Sequence, residues 1–283
     1  MRTTAVARAL VFLACTTLLV AGCNGDDDSP DASGGGDEPT ESETTSEPPP
    51  PPPAPKRGHC YRLTADDVAQ AHSDAKSVPC KRPHTTQTFS VGPLPKKLVR
   101  GGSVESNAIA SLVDKRCSDR FVDHVGGDGQ TRTLARVRPV WFVPTEEEIA
   151  RGAEWFRCDV VADGSGDEPA KLPAVTKGLL DSDDALDDWG TCDKAGDSLN
   201  PESEWRLCSE PHNWQAISTL SVGDADDGWP GRDELVARGD ECESTVRDYL
   251  DDSTGALSFQ WTFPTESQWQ AGRRYGLCWT EDD

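Results

Sequence analysis

The sequence predicts an α+β protein: two tandem small domains, each stapled by disulfides, behind a disordered lipoprotein tether. Three observations carry that prediction. After residue 57 the chain holds eight cysteines in two sets of four with matching neighbours. Around each set, short alternating stretches flank a segment of helical period. Between the apolar N-terminus and residue 58 there is almost nothing apolar to fold.

The totals narrow the function classes. A chain of 283 residues that is 35% hydrophobic can bury one or two cores. A net charge of −22 argues against nucleic acid or an anionic membrane surface as partner. Beyond the N-terminus no stretch approaches the roughly 20 apolar residues that cross a bilayer.

Residues 1–22 have the layout of a secretory signal peptide, with Arg2 and Arg8 ahead of an apolar run from Ala9 to Gly22. The run ends Leu19-Val20-Ala21-Gly22-Cys23, small residues before a cysteine, as in a bacterial lipobox. Cys23 is then the lipidated new N-terminus. Its acyl chains, at about 0.8 kcal/mol per buried methylene, place the protein on the outer face of the cell membrane.

Residues 23–57 form the tether. An acidic stretch from Asp26 gives way to prolines at 48–53, which predicts a solvated coil followed by a stiff polyproline segment.

The first domain is 58–162, with Cys60, Cys80, Cys117 and Cys158. The second is 187–283, with Cys192, Cys208, Cys242 and Cys278. Offsets between matched cysteines run 132, 128, 125 and 120, falling in order, and the flanks agree. Cys80-Lys81-Arg82-Pro83-His84 and Gln87 match Cys208-Ser209-Glu210-Pro211-His212 and Gln215. This reads as a tandem duplication. Residues 163–186 have a linker's composition, with Leu179 and Leu180 as candidates to dock on a domain. The first domain carries a net charge of +2 and the second −15, so the two are not expected to contact the same thing.

Within each domain the periodicity predicts two strands, a helix, a strand, a helical turn and a last strand. Thr88–Val91 and Ala216–Leu220 alternate as half-buried strands do. Ile109, Leu112, Val113, Cys117 and Phe121 form a helical stripe, as do Leu235, Cys242, Val246, Tyr249 and Leu250. Leu134–Val143 and Leu257–Phe263 read as strands.

The most regular repeat is Trp141–Cys158 against Trp261–Cys278. Pro144 and Pro264 end a strand. Thr145 with Glu148, and Thr265 with Gln268, have capping-box spacing. Gly152 and Gly272 fit the left-handed residue that closes a helical turn. The corner is read as architecture.

Export to an oxidising side, an even count in each domain and wide spacing favour disulfides over metal. Four cysteines allow three pairings. The preferred one is first with second and third with fourth, a bridge over 15–20 residues contributing about 3 kcal/mol.

The alternative is metal, since Cys80-x-x-x-His84 and Cys208-x-x-x-His212 are tolerable zinc spacings. His84 and His212 would then serve a metal-assisted hydrolase. No G-x-S-x-G or H-E-x-x-H constellation accompanies them, so the histidines are read as bonded to a backbone carbonyl or to Gln87 and Gln215. No enzyme, cofactor or metal is expected. Trp214 and the loop residue Trp229 are candidates for ligand stacking, which leaves a solute-binding or sensor role as a further alternative.

These residues resemble a known family. Gly-x-Cys, Cys-x-x-Pro-His, a lone helical cysteine, and Pro-Thr-x-x-x-Trp-x-x-Gly-x-Arg before a terminal cysteine are similar to the septum formation domain of actinobacterial secreted and membrane proteins. The second copy matches through Pro264, Thr265, Trp269, Gly272, Arg274 and Cys278. The first departs at Ile149 and Glu154, and Gln87 and Gln215 stand where that pattern holds glutamate. The resemblance implies an envelope location, a link to the division septum, and no defined reaction. The partners expected are the membrane, through Cys23, and a cell-wall or envelope protein.

Overall fold

The computed structural model describes residues 49–99, 106–196, 199, 204–251 and 255–282. The signal peptide, Cys23 and the tether up to residue 48 lie outside the described residues. Residues 49–55 carry no helix or strand.

In chain order the first half contains β1 (Cys60–Tyr61), α1 (Ala65–Val68), β2 (Thr86–Pro93), α2 (Lys96–Val99), α3 (Asn107–Val125), α4 (Gly129–Leu134), β3 (Val137–Phe142), α5 (Glu146–Ala150) and β4 (Trp155–Ala162). The second contains α6 (Ala185–Trp189), β5 (Thr191–Asp193), β6 (Arg206–Leu207), β7 (Trp214–Ser221), α7 (Arg232–Ala237), α8 (Gly239–Leu250), β8 (Phe259–Thr262), α9 (Glu266–Gln270) and β9 (Tyr275–Glu281). The strands build two antiparallel sheets, ordered β1-β2-β4-β3 and β6-β5-β7-β9-β8. The α+β class with disulfide staples is therefore the observed fold.

The two sheets agree in detail. Each central pair shifts register at one place, between Thr88 and Ser90 in β2 and between Ala216 and Ser218 in β7. The shifts face Cys158 and Cys278, whose side chains reach the long helix behind. Bridges join Cys60 to Cys80, Cys117 to Cys158, Cys192 to Cys208 and Cys242 to Cys278, with Cα separations of 5.3, 5.4, 4.9 and 5.4 Å. The pairing is first with second and third with fourth in both halves. One bridge pins the entry strand and the other nails the helix stripe to the last strand.

The corner is built as its residues require. Thr145 Oγ1 accepts from the Glu148 amide at 3.2 Å while Glu148 accepts from the Thr145 amide at 3.0 Å; Thr265 and Gln268 repeat this at 3.3 and 3.0 Å. Gly152 and Gly272 stand at φ of 100° and 101°, and the next amides, Ala153 and Arg273, reach back to the carbonyls of Glu148 and Gln268.

α3 buries Ile109, Val113, Cys117, Phe121 and Val125 against Phe89, Phe156 and Val160. Three expectations need correction. Leu134 does not start a strand: Asp128 caps the Thr131 amide at 2.7 Å, so 129–134 coil into α4 and the strand begins at Val137. The strand read from Leu257 is confined to Phe259–Thr262. Tyr249 and Leu250 leave the buried stripe and are 58% and 44% exposed. Their counterparts on α3 are covered by the chain at 176–180, which bonds to His124 and Val125. Among the described residues the second half has no such cover.

The stretch 163–186 runs back over the first sheet, burying Leu172 and Leu180 in its core. The halves then meet directly. Ala135 bridges Gly190, the Thr191 hydroxyl donates to the Leu134 carbonyl at 2.6 Å, and α4 packs on β7. Leu134 sits in one cluster with Trp214, Ala216, Leu277 and Trp279, while Leu207 enters the first half's core. The described residues thus belong to one compact unit.

Candidate functional site

The repeated histidines are held by their own turns. His84, 1% exposed, places Nδ1 2.8 Å from the Arg82 carbonyl; His212 places Nδ1 2.7 Å from the Glu210 carbonyl. A carbonyl only accepts, so Nδ1 carries the proton in both rings. His84 Nε2 is buried without a partner, whereas His212 Nε2 lies 2.7 Å from Asp282 Oδ2. Ala162 occupies the place of that aspartate in the first half.

Cys80 and Cys208 are consumed by their bridges, so neither offers a thiolate beside its histidine. Among the described residues no three of His, Cys, Asp or Glu are grouped to hold a metal ion.

Gln87 is an anchor. Its Nε2 donates to the Ala174 carbonyl at 2.9 Å, and its Oε1 accepts from the amide of Thr176 at 2.9 Å and from its hydroxyl at 2.7 Å. A glutamate could accept those two bonds but could not donate to Ala174. Gln215, half-buried, pairs with Cys192 and Thr280 in the sheet register.

The tryptophans are packed. Trp214 is 5% exposed, its indole nitrogen donates to the Gly196 carbonyl at 3.0 Å, and it forms part of the wall of a shallow cavity of about 460 Å³ beside Phe259 and Glu281. Trp229 is half-buried. Its ring meets Trp269 edge to face at 5.6 Å, and Arg274 covers the Trp269 ring at 4.2 Å. The corner tryptophan of the second half thus nucleates its own small core with Val222 and Leu235.

The largest polar departure between the halves lies inside the first sheet. Arg157 is sandwiched between the rings of Tyr61 and Phe142, 3.9 and 4.4 Å from their centres, with its Nε 3.4 Å from Asp159. Asp159 accepts from the hydroxyls of Thr88 at 2.7 Å and Thr86 at 3.3 Å. Burial pushes the Asp159 carboxyl up, while Arg157 and the two hydroxyls pull it back. At the same sheet positions the second half has Leu277, Trp279, Ala216 and Trp214.

An open recess of about 350 Å³ lies where α3, β2 and the 172–181 crossing meet. Arg57, Arg120, His124 and Lys177 border it, with Ser90 and Asp123. The His124 ring stacks on Phe89 at 5.2 Å, and its Nε2 lies 2.9 Å from Thr176 Oγ1. Since that hydroxyl gives its proton to Gln87, it accepts one from His124, and Nδ1 is left uncommitted. Burial, then the charges of Lys177 and Arg57, holds the His124 imidazole below its ordinary value. Sequence reasoning found Gln87 but not this recess, whose cations come from separate stretches of the chain. The readable part was Arg120 and His124, four apart on one helix face.

Neither the comparison with curated proteins nor that with solved structures returned a match. A family model described as septum formation matches residues 57–278, spanning both halves and all eight bridged cysteines. The chain belongs to the septum formation family.

Proposed function

We propose that the chain is a non-enzymatic envelope lipoprotein, anchored by acylated Cys23, whose duplicated disulfide-bonded halves bind or scaffold other envelope components during septum formation. The family supports the link to the septum. One observation carries the rest. The positions shared by the halves serve shape: capping boxes, left-handed glycines, bridges, and histidines tied to backbone carbonyls. What differs between them, in this reading left free to diverge by duplication, is the charge of their surfaces and the filling of the far face of each sheet.

The lipobox supports the location, and among the described residues no helix is long and apolar enough to cross a membrane. In this reading membrane attachment rests on Cys23. The full chain should fractionate with membranes and incorporate labelled palmitate, and Cys23→Ala should lose both. A Cys23→Ala chain that still sediments with membranes would refute the anchor. Cross-linking in the native envelope should capture wall or division proteins; one equivalent of bound zinc in the purified chain would point instead to the hydrolase.

A further inference from the structure

We propose that the recess between α3, β2 and the 172–181 crossing is a binding site for a phosphoryl group, either free phosphate or the phosphate of a headgroup-like ester. This goes beyond the envelope reading and stands whether or not Cys23 is acylated.

The recess brings together three permanent cations, Arg57, Arg120 and Lys177, and a histidine, against one carboxylate, Asp123. Among the described residues no ion pair engages any of the three cations. Like charges collected without a partner repel, and an anion would relieve that repulsion. Arg120 already directs one nitrogen to Ser90 Oγ at 2.5 Å, which fixes its fork at the recess and leaves further N–H donors for a ligand. His124 is oriented by Thr176 and by the Phe89 face; its Nδ1 is an acceptor in the neutral ring and donates to an anion only when the ring is protonated, which a bound phosphoryl group would favour. Several donors converging on one small volume suit a tetrahedral anion with several acceptor oxygens. A recess of about 350 Å³, open to solvent, admits phosphate carrying an attached group.

The second half supplies an internal control on the same scaffold. Matched through the helix cysteines, Thr245 stands at Arg120, Tyr249 at His124 and Asp248 at Asp123; matched through the sheet register, Ser218 stands at Ser90. Matched through the entry cysteines, Trp189 stands at Arg57. The shared residues belong to the frame, and the cations were placed on one copy alone.

The test is calorimetric titration of the full chain with inorganic phosphate, glycerol phosphate and acetate. Phosphate and glycerol phosphate should bind at millimolar concentrations or tighter, and acetate should not compete. Tighter binding of glycerol phosphate marks an ester ligand, and tighter binding of inorganic phosphate marks the free anion; both support the site. Arg120→Ala and Lys177→Gln should each weaken binding about tenfold, the usual scale for a lost charge-assisted hydrogen bond. Lys177 is exposed, so Lys177→Gln should keep its melting temperature, which separates lost binding from lost folding. Heats that are absent for both phosphates, or unchanged in Lys177→Gln, would overturn the proposal.

Discussion

The two halves share the order of four strands, to which the second adds β6 at one edge, and a register shift, two bridges and a capped corner, yet they solve the far face of the sheet in opposite ways. The first half fills it with charge: Arg157 and Asp159 under Tyr61, Phe142 and two threonines, covered by its own residues. The second half fills it with Trp214, Leu277 and Trp279, and Leu134 of the first half joins that cluster. A self-covered face keeps the ion pair and the rings that stack on it within one half, with Arg157 Nε and Nη2 left without a hydrogen bond. A face that must receive a neighbouring element gains more from a broad apolar seat, which is non-directional and insensitive to small shifts. The halves agree where residues set shape, and differ where each half meets something different.

The largest expected effect breaks that contrast at the seat. Trp279→Ala empties a fully buried position and strands the Thr262 hydroxyl, which accepts from its indole at 2.9 Å. A loss of about 3–5 kcal/mol is expected, read as one cooperative denaturant transition, since the halves share a packed junction. Two separate transitions with only the second displaced would show that the junction contributes little.

A smaller effect sharpens what is common. Gly152→Ala and Gly272→Ala each force a side chain into a positive φ where no atom lies within 4 Å of the new Cβ, so the cost is backbone strain alone. Each should lower stability by about 1–2 kcal/mol, and by matching amounts. Unequal losses measured by chemical denaturation would mean that the corners are not equivalent.

The smallest effect separates the halves by pH. The folded state holds His124 below its ordinary value, through burial and the charges of Lys177 and Arg57, with Arg120 and Asp123 also bordering the recess. The unfolded chain therefore takes up more protons as pH falls below about 6.5, and stability declines from there downward through the lowered folded value. His124→Tyr, which installs the second half's residue, should remove that part of the slope. An unchanged slope would show that the ring is not desolvated.

Much of this frame could be read from the residues themselves. The capping boxes and the left-handed glycines depend on local spacing, and local spacing survives in a one-dimensional text; the cysteine pairing, over separations of 16 to 41 residues, is the preferred one of three. The junction did not show, because Leu134 fits an alternating strand as well as a helix end, and only the Asp128 cap decides between them. Tyr249 and Leu250 continue a helical stripe perfectly well; their exposure depends on a covering segment that, among the described residues, only the other half has. The ionic cluster left one readable sign, Arg157 and Asp159 two apart in the apolar run Trp155–Ala162, hence on one face of a strand. The cationic recess left less, since only its tertiary assembly turns scattered surface charges into a site.

The measurement that tests the central claim most directly is a disulfide map of the full chain, alkylated and digested without reduction. Peptides joining Cys60 to Cys80, Cys117 to Cys158, Cys192 to Cys208 and Cys242 to Cys278 should account for all eight cysteines. A peptide joining a cysteine of the first half to one of the second, or any of the eight recovered as an alkylated thiol, would contradict a common frame stapled separately in each half.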